Sequence, residues 1–129
     1  MIKTIEVIRT EVDSIKDNCG MPIDSKIKEL VIGLRANGIT TEQSCEGHKN
    51  KGVPYPWVDI PKKEAVKLAE LVARQNRPTL LNGEDNLNIW VLRPSCSIRL
   101  VPDDRTRSLE QMQQDAFEFG LFLQHLLEE

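Results

Sequence analysis

Residues 24–48 read DSKIKELVIGLRANGITTEQSCEGH, a stretch that runs from a helix through its end into a strand and a polar loop. Its apolar side chains fall at three- and four-residue intervals, at Ile27, Leu30, Val31 and Leu34. That spacing predicts one buried helical face, for which Asp24 is a suitable N-cap. Gly38 tolerates a positive φ just beyond the last turn, so Ile39 is expected to pack back on Leu34.

Two short strands are predicted around the loop that follows this helix. The β-prone run Ile39–Ser44 leads into a polar loop, Cys45–Gly52, and Tyr55–Ile60 is rich enough in β-branched and aromatic residues for a second strand. We therefore expect the polar loop to lie at the end of a strand.

The rest of the chain completes a mixed helix and sheet pattern. Three further segments repeat apolar residues at helical spacing: Ile5–Ile15 with Thr4 as N-cap, Pro61–Asn76, and Leu109–Leu126. Leu87–Leu92 and Cys96–Val101 indicate a hairpin joined at Arg93-Pro94-Ser95. The order ααββαββα predicts the α+β class: a two-layer sandwich with a mainly antiparallel sheet of four to five short strands and three to four helices. Residues 1–129 are expected to form a single domain.

Composition narrows the class of protein. The 129 residues are 40% hydrophobic and 29% charged, which excludes a largely disordered or fibrous chain, and no apolar run is long enough for a membrane span. The net charge of −3 comes from interspersed charges of both signs, so nucleic-acid contact is possible but not favoured. Three cysteines and the absence of a secretory signal indicate reduced thiols and a cytoplasmic location.

Ser44-Cys45-Glu46-Gly47-His48 is the densest group of reactive side chains. A thiol and an imidazole three residues apart suit a nucleophile with its base, and Glu46 would support the imidazole. Cys45, Glu46 and His48 are therefore the candidate catalytic residues, with Ser44 as a candidate ligand contact. The structural alternative is a buried Cys45 in a loop that Gly47 allows to turn.

The same Cys-x-x-His spacing is typical of half a zinc site, which needs further ligands. Cys19 is the easiest to recruit from the sequence, because Cys96 is predicted to be a small core residue and His125 belongs to the last helix. A structural zinc site is therefore the alternative to catalysis at this loop.

A second candidate site lies on the sheet. Strand alternation places Trp57 and Asp59 on one face, and Trp90 and Arg99 opposite their aliphatic neighbours. These four residues would line an open face able to stack on a nucleic-acid base or another flat ligand. Alternatively, the tryptophans pack under a loop or under the last helix.

Residues 20–60 resemble a set of small bacterial and phage proteins that share a Ser-Cys-Glu-Gly-His signature. The likeness rests on Met21–Asp24, Ser44–His48 and Pro56-Trp57-Val58. It implies that the loop matters, and it names no reaction. A weaker likeness is to the wybutosine-synthesis methyltransferase family, in which Ser-Cys-Ser-Gly-Arg stands at this position, with Glu46 and His48 here in place of Ser and Arg.

Three functional hypotheses follow from the sequence. The first is a small-ligand or enzymatic site on the loop 44–48. The second is a binding module for nucleic acid, peptide or protein on the sheet face, and the third is a protein that acts through a protein partner or as a homodimer joined by its terminal helices. No glycine-rich nucleotide motif is present, so the sequence indicates no particular cofactor.

Overall fold

Four α-helices are present in the part of the chain that the structure, a computed structural model, describes: residues 4–16, 20–50 and 52–127. They are α1 (Ile5–Asp13), α2 (Lys28–Ala36), α3 (Ala65–Gln75) and α4 (Leu109–Leu126). Thr4 caps α1 as predicted, because its hydroxyl accepts a hydrogen bond from the Val7 N–H at 3.2 Å. None of the helices within these residues is long and apolar enough to cross a membrane.

One antiparallel sheet of four strands lies among the described residues. Its strands are β1 (Gln43–Cys45), β2 (Trp57–Ile60), β3 (Trp90–Pro94) and β4 (Ile98–Pro102), in the spatial order β1-β2-β4-β3. The element order is the predicted ααββαββα, and the α+β class is confirmed. β1 is shorter than the predicted strand because the residues before it bond side chains instead of a neighbouring strand. The Thr40 N–H donates to the Glu64 carboxylate, and the Arg35 guanidinium donates to the hydroxyl and the carbonyl of Thr41.

The hydrophobic core lies between the helices and one face of the sheet. Directly opposite residues on neighbouring strands share a face, and the pairs Val58–Leu100 and Leu100–Leu92 put these three side chains on the core side. The same cluster contains Leu34 of α2 and Phe119 of α4. Burial of this face fixes which side of the sheet remains for other contacts.

Helices α2 and α4 approach each other through two glycines. A Cβ on Gly33 would lie 2.7 Å from the carbonyl oxygen of Gly120, and one on Gly120 would lie 2.4 Å from the carbonyl carbon of Glu29. The Asn37 side chain joins the same helices, since its amide donates to the carbonyls of Gly33 and Leu123 at 2.8 and 2.9 Å. The backbones are therefore in direct contact where the two helices meet.

The end of α2 is as predicted, and its start is not. Gly38 has φ +82°, and its N–H and that of Ile39 donate to the carbonyls of Arg35 and Leu34, both at 3.0 Å, which is the Schellman pattern. At the other end, α2 begins at Lys28 without a side-chain cap. The predicted capping role of Asp24 is wrong, because its Oδ2 accepts instead from the N–H of Glu46, at 3.1 Å.

β3 and β4 form the predicted hairpin, but the turn residues and the sheet face on which Trp90 lies differ from the prediction. Pro94 pairs with Ile98, so residues 95–97 form the turn and Cys96 is exposed there rather than packed in the core. Trp90 faces the core and packs on Phe119 with ring centres 5.4 Å apart. The prediction that Trp90 lies on the open face is therefore wrong.

The outer edge of β3 is covered at its first residue by a side chain. The Asn76 amide, at the end of α3, donates to the carbonyl of Trp90 at 2.7 Å and accepts from its N–H at 2.9 Å. This pair of hydrogen bonds imitates those of a neighbouring strand.

Candidate functional site

Cys45 occupies the edge of the sheet next to a cleft. Cys45 pairs with Trp57, so both side chains lie on the face away from the helices, while Ser44 pairs with Val58 and points the other way. Because β1 is an edge strand, both of its faces border the cleft, which has a volume of about 510 Å³. Thirteen residues line the cleft: Ile15, Lys16, Met21, Pro22, Ile23, Asp24, Thr41, Glu42, Gln43, Ser44, Cys45, His48 and Trp57.

Gly47 gives the loop 44–48 its shape. Its φ of +92° is a conformation that other residues rarely adopt, and an added Cβ would lie 2.8 Å from the carbonyl carbon of Tyr55 and 2.7 Å from Leu109. Hydrogen bonds hold the flanking residues: the His48 N–H donates to the Val53 carbonyl at 2.9 Å, and the Gln113 amide to the Glu46 carbonyl at 3.0 Å. The loop is therefore fixed to the segment before β2 on one side and to α4 on the other.

Glu46 holds the loop to the chain in front of α2. Its Oε1 accepts from the N–H of Lys26 at 3.0 Å, and its own N–H donates to Oδ2 of Asp24. One oxygen of the carboxylate thus faces the turn before α2, where it accepts from a backbone N–H. The backbone of Glu46 fixes the orientation of Asp24.

Asp24 supplies the carboxylate that lies close to Cys45 and His48. One ligand atom from each of the three side chains, a carboxylate oxygen, the thiol sulfur and an imidazole nitrogen, lies within 4.8 Å of the other two. Asp24 and Cys45 are half-buried, and His48 is exposed. Sequence reasoning missed Asp24 as a site residue, although it belongs to the Met21–Asp24 segment on which the family resemblance rests.

The surroundings of Cys45 raise the pKa of its thiol. Burial raises the pKa of Cys45 above its usual value, and the nearby carboxylates of Asp24 and Glu46 raise it further. Two groups act against this rise: the Gly47 N–H, which donates to the sulfur at 3.4 Å, and the more distant Arg99. An activated thiolate needs a dominant positive neighbour, and burial and two carboxylates outweigh Arg99 here, so this environment does not favour a nucleophilic role for Cys45.

Three of the four residues predicted to line the open sheet face are in contact with each other. The Arg99 guanidinium lies 3.8 Å from the centre of the Trp57 ring and donates to both carboxylate oxygens of Asp59, at 2.7 and 3.0 Å. One face of the Trp57 ring is therefore covered, and Arg99 is already paired with a carboxylate. With Trp90 in the core, the predicted stacking surface is reduced to the part of Trp57 that borders the cleft.

The other cysteines and histidine considered as zinc ligands lie elsewhere or outside the described residues. Cys19 lies outside the described residues, and Cys96 is exposed in the hairpin turn. His125 is in the last turn of α4. Within residues 4–16, 20–50 and 52–127, the histidine, cysteine and carboxylate side chains close enough to share a metal ion are those of Asp24, Cys45 and His48.

Comparisons with protein-family models, curated proteins and solved structures found no match to this chain. The geometry of the cleft and of the loop 44–48 therefore carries the functional argument.

Proposed function

We propose that this protein binds a small ligand in the cleft beside β1, with Cys45 and His48 as the groups that contact its polar part. The observation that supports this best is the shared position of Ser44, Cys45, His48 and Trp57, which all border one cleft of about 510 Å³. Pockets for small molecules commonly have volumes of about 300–1,000 Å³. The cleft is thus of a size that suits a metabolite rather than a macromolecule.

The lining of the cleft indicates the chemistry of the ligand. Its apolar part is formed by Ile15, Met21, Pro22, Ile23 and the indole of Trp57, and its polar end by Asp24, Cys45 and His48. Apolar walls with a few convergent polar groups favour a compact molecule with an apolar body and one polar head. We place the protein in the cytoplasm, where a thiol such as Cys45 stays reduced.

A fragment screen by two-dimensional amide NMR tests this proposal. The probe is a library of small, mostly aromatic fragments that carry one polar group, added to the isotope-labelled full chain. We expect hits to shift the amides of residues 44–48 and the indole signal of Trp57.

The matched variants are Cys45→Ala and Cys96→Ala, since one cysteine borders the cleft and the other is exposed in the β3–β4 turn. Binding should weaken in the first variant and stay unchanged in the second. Hits that map elsewhere, or equal binding by both variants, would contradict the proposal.

A further inference from the structure

We propose that Asp24, Cys45 and His48 bind a divalent transition metal ion, zinc above all, at the polar end of the cleft, with one coordination position left for the cleft ligand. Metal binding itself stands on the three side chains alone. The open position rests on the function proposed above.

The ligand atoms lie close to the spacing that a tetrahedral metal site requires. Zinc bonds of about 2.0–2.3 Å imply ligand atoms about 3.3–3.8 Å apart in a tetrahedral shell. The ligand atoms of Asp24, Cys45 and His48 all lie within 4.8 Å of one another. His48 is exposed, so its side chain has room to change rotamer and approach the other two ligands.

The donor set selects the class of metal. A thiolate sulfur, an imidazole nitrogen and a carboxylate oxygen are all zinc ligands, whereas magnesium and calcium prefer oxygen ligands alone. Three protein ligands with a fourth position for water or substrate are typical of catalytic zinc sites, and four protein ligands are typical of structural ones. The donors described here therefore favour an open site over the closed structural site predicted from the cysteine spacing.

Two backbone hydrogen bonds hold the ligands in place before any metal arrives. The Glu46 N–H donates to Oδ2 of Asp24 at 3.1 Å, and the Gly47 N–H donates to the sulfur of Cys45 at 3.4 Å. Hydrogen bonds of this kind orient metal ligands, and their loss commonly reduces metal affinity about 10–100-fold. Both donors belong to the loop that Gly47 shapes, so the loop conformation and the ligand geometry depend on each other.

The charges around the site also suit a cation. The carboxylates of Asp24 and Glu46 both act on Cys45. Of the basic groups near the cleft, Arg99 is bound to Asp59 by two hydrogen bonds, and Lys16 is among the cleft residues. A divalent cation bound by the three side chains would be attracted by the carboxylates of Asp24 and Glu46.

Cobalt titration tests the metal site directly, because Co²⁺ reports its ligands through absorption. The protein is stripped with a chelator, and Co²⁺ is added to the reduced full chain. We expect one ion per chain, a sulfur-to-metal charge-transfer band in the near ultraviolet, intense visible bands of tetrahedral cobalt, and loss of both sets of bands when Zn²⁺ is added. Excess Mg²⁺ should leave the bands unchanged.

Substitutions assign the ligands. Cys45→Ser should abolish the charge-transfer band, and Asp24→Asn and His48→Gln should each weaken binding by about 10-fold or more. Cys96→Ser and His125→Gln are the matched controls and should bind as the original chain does. His48→Gln changes an exposed side chain and should keep the fold, so it tests the site even if another variant fails to fold. Cobalt binding without a sulfur band, or an unchanged affinity in His48→Gln, would overturn the metal site.

The open position is tested separately from metal binding. Cys19→Ser should keep the sulfur band and the affinity; a loss as large as that of Cys45→Ser would mean a fourth protein ligand and would overturn the open position. Repeating the fragment screen with and without Zn²⁺ separates the two proposals. If fragments bind only the stripped protein and no metal is taken up, the ligand cleft is supported and the metal site is refuted. If metal is taken up and no fragment binds in the cleft, the metal site is supported and the ligand cleft is refuted.

Discussion

Replacing Gly47 by alanine should destabilise the protein for two separable reasons. The first is the backbone, because φ +92° costs a residue with a Cβ about 1–2 kcal/mol. The second is space, because the new Cβ would lie 2.8 Å from the carbonyl carbon of Tyr55 and 2.7 Å from the end of the Leu109 side chain. The Leu109 contact is with the end of a flexible side chain, but the Tyr55 carbon is backbone, so we expect overpacking to add about 1–2 kcal/mol.

Gly83→Ala isolates the first of these two contributions. Gly83 has a similar φ of +87°, yet a Cβ there would meet no atom within 4 Å. Unfolding in urea should therefore show a loss of about 1–2 kcal/mol for Gly83→Ala and about 2–4 kcal/mol for Gly47→Ala. Equal losses in the two variants would refute the argument that close packing around Gly47 shapes the loop. The NMR signals of residues 45–48 should also move in Gly47→Ala and stay in place in Gly83→Ala.

Three further predictions concern the helices and the cysteines. Gly120→Ala should cost about 2–3 kcal/mol in urea unfolding, because its Cβ would lie 2.4 Å from the backbone of Glu29, and an unchanged midpoint would contradict the close approach of α2 and α4. The Arg9 guanidinium, hydrogen-bonded to Glu29 at 2.6 and 2.7 Å, lowers the pKa of that carboxyl, so its contribution is present above about pH 4.5 and is lost as the pH falls. Glu29→Gln should thus cost about 1 kcal/mol at pH 7 and progressively less below pH 4.5, and a constant difference across that range would show the ion pair to be unimportant. Iodoacetamide at pH 7.5 should label Cys96 faster than Cys45 in peptide mass spectra, because Cys96 is exposed and burial raises the pKa of Cys45; faster labelling of Cys45 would indicate an activated thiolate.

The elements that the sequence predicts well are those set by neighbours in the chain. Thr4 and Gly38 mark the start of α1 and the end of α2, because capping and positive φ are properties of one or two residues. The facing of β3 could not be predicted in the same way. Residues 89–92 are all apolar and therefore show no alternation, so the pairing with β4 and the packing of Phe119 decided that Trp90 faces the core.

The candidate site also contains one part that follows from neighbours in the chain and one part that does not. Cys45 and His48 belong to one loop, and their closeness follows from a spacing of three residues with a glycine between them. The role of Asp24 could not be predicted from the sequence, because an aspartate before a helix can bond either the helix N-terminus or a distant N–H. The sequence around it favours the N-cap. Only the folded loop, which brings the Glu46 N–H to Asp24, shows which partner it takes.

The Asn76 side chain that covers the start of the outer edge of β3 also bears on strand-to-strand association between copies of this chain. An exposed strand edge offers unpaired N–H and carbonyl groups to a strand of another chain, and this is a common start of aggregation. Asn76 occupies both such groups of Trp90, and the opposite edge strand, β1, is only three residues long. Pairing with the strand of another chain is therefore disfavoured at the start of β3 and limited to a short stretch at β1.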